Sequence, residues 1–293
     1  MIALDRNLIL EGDNAALLPQ LPANTFDLIY IDPPFNTGSR QTAKRLRTVR
    51  DDEGDRTGFA GRRYRSQTAS TALSYEDTHD DYLAFLESRI EEAHRLLAPH
   101  GTLYLHLDPR EAYRVRAHLL DEIFGREAFL NEIVWAYDYG AKPKTRWPAK
   151  HDTILVYVKT PGAHHFDAEA VEREPYMAPG LVTAEKAARG KMPTDVMWHT
   201  IVPTNGKERT GYPTQKPEGL VRRFVAASSR PEGWCLDFFA GSGTLGAVCA
   251  QLGRRYVLID ENPDAVAVMR ARLGSYLAGT QPAGNAPAGI SPV

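Results

Sequence analysis

Hydrophobic and polar positions follow two periods along most of the chain. Short apolar runs bounded by turn residues predict buried strands, and residues 81–98 place apolar side chains three and four apart, which predicts an amphipathic helix. Predicted strands cover residues 7–10, 26–31, 102–107, 131–137, 152–158, 234–238 and 256–259. Predicted helices cover residues 15–21, 81–98, 112–124, 217–229 and 244–252, and a last one begins at Asn262. Strands that alternate with helices over short links predict a doubly wound α/β sheet.

Two internal segments and the C-terminus break this pattern. Residues 39–74 contain few apolar side chains. From Arg40 to Arg65 the sequence has nine lysines and arginines and four acidic residues. This composition predicts a long mobile loop, which is either a solvated insert or a phosphate-contacting segment. Residues 160–205 combine prolines, glycines and isolated charges, which predicts a small accessory module or extended loops. The Gly/Pro/Ala-rich tail at 278–293 is expected to be disordered.

Composition narrows the class of protein. The 293 residues carry a formal net charge of −2, with 25% charged and 43% hydrophobic residues, as in ordinary soluble globular proteins. Any basic surface that binds nucleic acid must therefore be local. The absence of a long apolar run and of a signal-like N-terminus predicts an intracellular protein with no membrane span. Cys235 and Cys249 lie among apolar residues, which predicts buried thiols, and the histidines show no metal-ligand spacing.

A rigid corner follows the predicted strand at 26–31. Asp32 is followed by Pro33 and Pro34, which fix the backbone and carry no N–H, and then by Phe35. The corner offers mainly hydrogen-bond acceptors beside a flat ring. It therefore suits an exocyclic amino group on an aromatic ring, such as that of a nucleic-acid base. An ordinary strand end with a proline turn is the alternative, and these four residues alone leave it open.

A glycine-rich turn links the strand at 234–238 to the next helix. Asp237-Phe-Phe-Ala-Gly241-Ser-Gly243-Thr244 allows a ligand to approach the backbone and the N–H groups of the helix. Asp260 ends the next strand, 19 positions after Gly241, where a carboxylate can bind a ribose diol. Because Gly246 completes the dinucleotide spacing, the turn alone leaves NAD and S-adenosylmethionine open. The Asp32 corner favours S-adenosylmethionine over NAD, because hydride transfer does not need such a corner.

With both motifs present, the chain resembles the amino-methylating DNA methyltransferases of the β class, such as the modification enzymes of restriction–modification systems. In that class the Asp-Pro-Pro-Tyr/Phe motif comes first, the target-recognition region follows, and the Phe-x-Gly-x-Gly motif comes last. The resemblance covers residues 7–272. Further stretches that resemble the family are Glu122-Ile-Phe-Gly125, Glu132-Ile-Val-Trp135 and Gly211-Tyr-Pro-Thr-Gln-Lys-Pro217.

The resemblance implies a fold and a domain plan. The fold would be α/β, a Rossmann-like S-adenosylmethionine-dependent methyltransferase fold with a mostly parallel, circularly permuted sheet. Residues 1–159 would form the catalytic half with the basic loop 39–74, residues 160–205 an inserted target-recognition region, and residues 206–277 the cofactor half. Double-stranded DNA is the expected partner, and the family also includes homodimers and enzymes with a cognate restriction endonuclease. The expected location is the cytoplasm, at the nucleoid.

The resemblance also implies residue roles. Asp32, Pro33, Pro34 and Phe35 would be catalytic and hold a flipped base, and residues 214–216 would close around the methionine end of the cofactor. The residues expected at the S-adenosylmethionine site are Asp13, Asp32, Thr214, Gln215, Lys216, Asp237, Phe238, Phe239, Ala240, Gly241, Ser242, Gly243, Thr244, Asp260, Glu261 and Asn262. The expected DNA contacts are the basic residues Arg40, Lys44, Arg45, Arg47, Arg62, Arg63, Arg65, Lys142, Lys144 and Arg146. Three departures from the family are Phe35, where tyrosine is commoner, Phe238, where proline is frequent, and the basic loop that follows the catalytic motif.

The implied reaction methylates an exocyclic amino nitrogen. The Asp32 side chain and the Pro33 carbonyl would accept its two hydrogens, and the absence of a Pro-Cys nucleophile counts against carbon-5 methylation of cytosine. The leading aspartate resembles adenine-N6 enzymes, whereas cytosine-N4 enzymes more often begin with serine. Adenine N6 is therefore the favoured target and cytosine N4 the alternative. Rival classes are an RNA or protein-glutamine methyltransferase, which usually has the reverse motif order, a nucleotide-binding module without catalysis, and an NAD enzyme.

Overall fold

The computed structural model describes residues 1–35, 81–140, 142–203 and 205–277, and the backbone of five short strands between residues 41 and 75. The strands of these residues are β1 (Leu8–Glu11), β2 (Phe26–Ile31), β3 (Gln41–Ala43), β4 (Leu46–Arg50), β5 (Arg56–Thr57), β6 (Arg63–Thr68), β7 (Leu73–Tyr75), β8 (Leu97–Leu107), β9 (Phe129–Ala136), β10 (His151–Val158), β11 (Val196–Trp198), β12 (Trp234–Asp237) and β13 (Arg255–Asp260). The helices are α1 (Asn14–Leu17), α2 (Tyr82–Leu96), α3 (Pro109–Val115), α4 (Asp121–Ile123), α5 (Ala184–Arg189), α6 (Glu218–Ser228), α7 (Thr244–Leu252) and α8 (Pro263–Leu277). Short 3₁₀ or π turns occupy Leu18–Gln20, Arg116–Leu120, Arg126–Ala128 and Pro179–Leu181.

One eight-stranded sheet organises the fold. Its strand order is β1-β13-β12-β2-β8-β10-β9-β11. All neighbouring pairs are parallel except those that β10 makes with β8 and with β9. The late strands β12 and β13 thus lie between the early strands β1 and β2. This arrangement confirms the predicted mostly parallel, Rossmann-like sheet.

Helices cover both faces of the sheet because its central strands are apolar on both sides. In β2, Ile29 and Ile31 face one core with α2, whereas Leu28 and Tyr30 face a second core with α6, α7 and α8. The six residues of β2 are all buried. Burial on both faces is the expected state of central parallel strands. None of the helices in the described parts of the chain combines the length and apolar character needed to cross a bilayer.

Most predicted elements are confirmed, with bounds that shift by a few residues. The predicted helix at 244–252 is α7, and Asp81 caps α2 by accepting the Ala84 N–H at 3.1 Å. The predicted helix at 112–124 is wrong in one respect, because a π turn at Arg116–Leu120 separates α3 from α4. Strand β11 was not predicted. It is only three residues long and pairs on one side, so it carries no hydrophobic period that a sequence pattern could detect.

The prediction of an irregular loop at 39–74 is wrong for the residues that the structure describes there. Strand β3 pairs with β7, and β6 pairs with both β4 and β5, all antiparallel. Antiparallel strands pair through their backbones, a contact that the apolar pattern of the sequence does not record. The predicted mobility of this segment and the predicted disorder of 278–293 concern residues outside the described part of the chain.

Candidate active site

The two predicted motifs meet at the carboxyl edge of the sheet. Asp32 directly follows β2, and Asp237 ends β12. These strands are parallel neighbours, with Ile29 opposite Leu236. Since adjacent strands lie about 5 Å apart, the proline corner and the glycine turn begin side by side. The two segments, far apart in the sequence, are therefore neighbours in the structure.

Lys216 connects the two motifs. Its side chain is only 9% exposed, and its Nζ donates a hydrogen bond to Oδ2 of Asp32. Its backbone carbonyl accepts a hydrogen bond of 3.0 Å from the hydroxyl of Thr244, the last residue of the glycine motif. The same Nζ lies 4.8 Å from the centre of the Phe35 ring, within the range of a cation–π contact. The structure thus pairs this lysine with the catalytic corner, and its expected place at the methionine end of the cofactor stays a prediction.

The two oxygens of Asp32 differ in their surroundings. Oδ2 accepts the hydrogen bond from Lys216, but Oδ1 is buried and has no hydrogen-bond partner among the described residues. A buried acceptor without a donor is unfavourable by about 1–3 kcal/mol. Pro33, which has no N–H, is buried beside it, and Pro34 and Phe35 are half-buried. The corner therefore presents an unused acceptor next to an aromatic ring.

A buried polar network lies beneath Phe35. The fully buried His106 ring is 5.9 Å from the Phe35 ring, and its Nδ1 lies 2.9 Å from the hydroxyl of Tyr30. Its Nε2 lies 3.1 Å from Oδ2 of Asp152, whose Oδ1 accepts a 2.9 Å hydrogen bond from Tyr137. Burial alone would raise the pKa of Asp152, but hydrogen bonding and the charge of His106 lower it. The network connects β2, β8, β9 and β10 directly below the corner.

The glycine turn is held by a carboxylate. Gly241 and Gly243 adopt φ angles of 48° and 72°, which an L side chain rarely adopts. Oδ2 of Asp260 accepts the Gly241 N–H at 2.8 Å, and Oδ1 accepts the Asn262 N–H at 2.9 Å. Burial raises the pKa of Asp260. A carboxylate has about four lone-pair sites, so Asp260 retains acceptor capacity for a hydroxyl donor.

Other predicted cofactor residues surround this turn. Asp237 is buried and accepts the Phe239 N–H at 3.0 Å, and burial raises its pKa well above the usual range, with the charges of Asp32 and Asp260 adding to the shift. Asp13 accepts the Ala15 N–H at 2.9 Å and so caps α1. It follows β1, whose last residue pairs with Asp260 at the end of β13. Ala240, Ser242 and Thr244 are buried, whereas Glu261 is exposed.

Two predicted cofactor residues have other contacts in the structure. The side chain of Phe238 is fully buried in the core, and its carbonyl accepts a 2.7 Å hydrogen bond from Asn14. Gln215 accepts from the N–H and the hydroxyl of Thr210 at 2.9 Å each and donates to the Glu208 carbonyl at 2.8 Å. Both side chains therefore stabilise their own surroundings. Thr214, directly before Gln215, is exposed and has a backbone φ of 53°.

Comparison with known families identifies the chain. A family model for N6 and N4 methyltransferases, described as DNA methylase, matches residues 26–270. The chain belongs to this DNA methylase family. The methylase is therefore a DNA methyltransferase of an S-adenosylmethionine-dependent family.

Individual relatives cover nearly the whole methylase. The type II methyltransferase M.HpaI of Haemophilus parainfluenzae is 30% identical over 276 residues, which is 94% of this chain and 76% of that protein. The DNA adenine methyltransferase YhdJ of Escherichia coli (strain K12) is 29% identical over 282 residues, covering 90% and 82% of the two chains.

Solved structures show the same fold. The cytosine-N4-specific PvuII DNA methyltransferase superposes with a TM-score of 0.63 at 16% identity, covering 92% of this chain and 90% of that one. TTHA0409 of Thermus thermophilus, described as a putative DNA modification methylase and solved with S-adenosyl-L-methionine, gives a TM-score of 0.55 at 20% identity, with 94% and 96% coverage.

The donors and acceptors of the methylase fit this cofactor. Its adenosine requires acceptors for ribose hydroxyls and a backbone turn open to close approach, and Asp260 and the turn at Gly241 and Gly243 supply both. A Cβ added to Gly241 would lie 3.2 Å from the Tyr212 ring, and its φ of 48° strains any other residue at this position. The buried Oδ1 of Asp32 belongs to the corner that follows β2, the parallel neighbour of the strand before this turn.

The predicted DNA contacts fall into two groups. Lys142, Lys144 and Arg146 are exposed in residues 137–150, which connect β9 to β10 at the same carboxyl edge as Asp32. Of the second group, Arg40, Lys44, Arg45 and Arg62 lie outside the described residues, and Arg47, Arg63 and Arg65 are described only as backbone in β4 and β6.

Sequence reasoning missed the network around His106. A signal was present, since Tyr30, His106 and Asp152 each place a polar group in an otherwise apolar strand. Only the strand order shows that these groups face one another, because β10 is the antiparallel neighbour of β8.

Proposed function

We propose that the methylase transfers a methyl group from S-adenosylmethionine to N6 of adenine in double-stranded DNA. The observation that carries this proposal is the buried, unpartnered Oδ1 of Asp32 beside the glycine turn. Adenine is favoured over cytosine N4 by the leading aspartate and by the 29% identity to a DNA adenine methyltransferase. The structural likeness to a cytosine-N4-specific enzyme supports the fold alone at its 16% identity.

Residues on both sides of Asp32 would hold the two substrates. Asp260, Gly241 and Gly243 would bind the adenosine part of the cofactor, with Asp13 near its adenine ring. Bound S-adenosylmethionine supplies an electrophilic methyl group. Phe35 would stack on the extruded base, and His106 and the polar network below would keep the Phe35 ring in place.

The acceptors at the corner make the amino nitrogen reactive. Its lone pair is delocalised into the base ring, so it is a weak nucleophile. Oδ1 of Asp32 and the carbonyl of Pro33 would each accept one amino hydrogen, which favours the pyramidal nitrogen and directs its lone pair away from the ring. As the C–N bond forms and the bond from the methyl carbon to sulfur breaks, the nitrogen would gain positive charge and S-adenosylhomocysteine would be released. The Asp32 carboxylate would stabilise this charge until the nitrogen loses its extra proton to solvent water.

The target base must leave the helix to reach this corner. Exposed Lys142, Lys144 and Arg146 lie at the same edge of the sheet and would contact phosphates, and the basic residues between 40 and 65 would extend that surface. Residues 160–205, which include the edge strand β11, would carry sequence recognition. A homodimer and a cognate restriction endonuclease remain predictions from the resemblance.

The identity of the methylated nucleoside tests the proposal. The purified protein is incubated with S-adenosylmethionine labelled in the methyl group and, in parallel reactions, with unmethylated genomic DNA, total RNA or total cell protein. The DNA is then digested to nucleosides. Labelled N6-methyldeoxyadenosine is expected. Label only in N4-methyldeoxycytidine would overturn the choice of base, and label in RNA or protein but not DNA would overturn the substrate class. Thermal stabilisation by S-adenosylhomocysteine and not by NADH provides the control for cofactor identity.

A further inference from the structure

Lys216 makes two contacts that join the halves of the active site. Its ammonium binds Oδ2 of Asp32, and its carbonyl accepts the Thr244 hydroxyl at the start of α7. Both the lysine and Thr244 are buried. One residue therefore contacts the catalytic corner with its side chain and the end of the glycine motif with its backbone.

The backbone of Lys216 is held firmly in place. The Thr244 hydroxyl lies 3.2 Å from the Ser242 hydroxyl and 3.3 Å from Nη1 of Arg272, which also donates to the Ser242 carbonyl at 3.0 Å. Arg272 in turn forms an ion pair of 2.5 Å with Glu218, two residues after Lys216. The lysine thus extends from a cluster that α6, α7 and α8 share.

This anchoring determines which Asp32 oxygen is available. A carboxylate that is free to rotate presents either oxygen to a substrate, but the hydrogen bond from Lys216 engages Oδ2. Oδ1 is then the oxygen of this side chain that has no donor among the described residues. The ammonium of Lys216 also forms an ion pair with Asp32. The carboxyl groups of Asp237 and Asp260 lie close to this pair.

We propose that Lys216 is a positioning residue that orients Asp32 so that Oδ1 receives an amino hydrogen of the target base. This role rests on the proposed function, because it assumes that Asp32 addresses an amino group. It differs from the expected role of Lys216 at the methionine end of the cofactor. The two roles predict different effects on binding and on transfer.

Substitution of the lysine separates these roles. Lys216→Met removes the charge and the donor but keeps much of the side-chain volume, and Lys216→Arg keeps both charge and donor. Lys159→Met is the matched control, since Lys159 is a part-buried lysine at the amino edge of the sheet, where it donates to the His94 carbonyl. Two quantities are measured: the dissociation constant of S-adenosylhomocysteine, and the single-turnover rate at saturating cofactor and DNA.

We expect Lys216→Met to lower the single-turnover rate by roughly 10²-fold, because a misplaced catalytic group loses its alignment with the reacting atom. The dissociation constant of S-adenosylhomocysteine should change by less than about threefold. Lys216→Arg should recover part of the rate, and Lys159→Met should match the wild type. An unchanged rate in Lys216→Met would overturn the proposal, as would a dissociation constant that rises as much as the rate falls.

A thermal-unfolding cycle tests the pairing without any activity. The melting temperature is measured for the wild type, Asp32→Asn, Lys216→Met and the double variant. Paired groups should give a double variant whose melting temperature is higher than the sum of the two single shifts predicts. Additive shifts would overturn the pairing. This cycle does not depend on which base is methylated, so its result is separate from the outcome for the proposed function.

Discussion

Asp32 and Asp237 lie at the carboxyl ends of the neighbouring parallel strands β2 and β12, and among the described residues an ion pair is formed by Asp32, with Lys216, but not by Asp237. Burial raises the pKa of Asp237 well above its usual range, and the neighbouring charge of Asp32 adds to this shift. Asp237 instead accepts the Phe239 N–H and shapes the glycine turn. The two aspartates therefore have different roles, because Asp32 pairs with a lysine and Asp237 accepts a backbone N–H.

Replacement of Asp32 should separate methyl transfer from cofactor binding. Asp32→Asn keeps the size of the side chain but removes its charge and places a donor among the acceptors. We expect single-turnover transfer to fall by roughly 10²- to 10³-fold, in the range known for loss of one electrostatic contact in the transition state. Binding of S-adenosylhomocysteine, measured by calorimetry, should be retained. Wild-type transfer by this variant would remove the corner from the mechanism.

The raised pKa of Asp237 has a consequence for stability. A carboxyl group with a folded-state pKa above its unfolded value contributes fully to stability below the unfolded pKa, and this contribution is lost as the pH rises through the folded pKa. Asp237→Asn keeps an acceptor for the Phe239 N–H but does not ionise. We therefore expect its melting temperature to rise relative to that of the wild type as the pH is increased from about 5 to 8. A difference that shrinks with rising pH would contradict this assignment.

Asp27 lies at the amino ends of the parallel strands. Its contribution to stability should depend on pH in the opposite sense to that of Asp237. It is buried and accepts hydrogen bonds from Arg230 Nε and Nη2 and from His100 Nε2, each at 2.9 Å. Burial alone would raise the pKa of Asp27, but the hydrogen bonds from Arg230 and His100 lower it. Its stabilising contribution is therefore present above the unfolded pKa and is lost as the pH falls through the lowered folded pKa.

Asp27→Asn should reduce the free energy of unfolding by about 2–3 kcal/mol at neutral pH, and this deficit should shrink in acid. Denaturant titrations at several pH values measure it. Asp195→Asn, at an exposed aspartate, serves as the control and should leave the unfolding free energy unchanged. Equal losses in the two variants would show that the hydrogen bonds of Asp27 do not stabilise the sheet edge.

Charge reversal in residues 137–150 tests the proposed DNA surface. The triple variant Lys142→Glu, Lys144→Glu and Arg146→Glu should weaken duplex binding and flatten the dependence of log Kd on log salt by about 0.9 for each lost phosphate contact. Fluorescence anisotropy with a labelled duplex at several salt concentrations measures both quantities. Arg126→Glu, at an exposed arginine before β9 and so at the far edge of the sheet, is the control. An unchanged slope in the triple variant would exclude this loop from the interface.

Sequence patterns predicted the elements whose signal is local. The unbroken apolar run of β2 had to form a buried strand, and the spacing of Leu86, Ile90 and Ala93 had to form a helix with one buried face. The prolines after Asp32 and the glycines at 241 and 243 indicate rigid backbone and close approach wherever they occur. For these reasons the sequence predicted the mostly parallel α/β sheet, and it predicted the proline corner and the glycine turn at the ends of strands.

Signals that depend on distant neighbours were missed. Strand β11 exists because the edge of β9 offers hydrogen-bonding groups, and strands β3 to β7 are antiparallel partners of one another. The His106 network and the pairing of Lys216 with Asp32 join residues that are far apart in the chain. No period or motif describes such contacts, since they arise only when the sheet has assembled.

The amino-acid sequence alone determined the class of fold, the order of the two motifs and the chemistry that each can offer, because those properties follow from residue type and spacing. The tertiary structure decided which groups meet: which oxygen of Asp32 stays free, what lies under Phe35, and that Lys216 contacts both motifs. Such pairings depend on the order of strands in the sheet and on the packing of helices against it. Packing is a property of the whole chain, so no single stretch of sequence contains it.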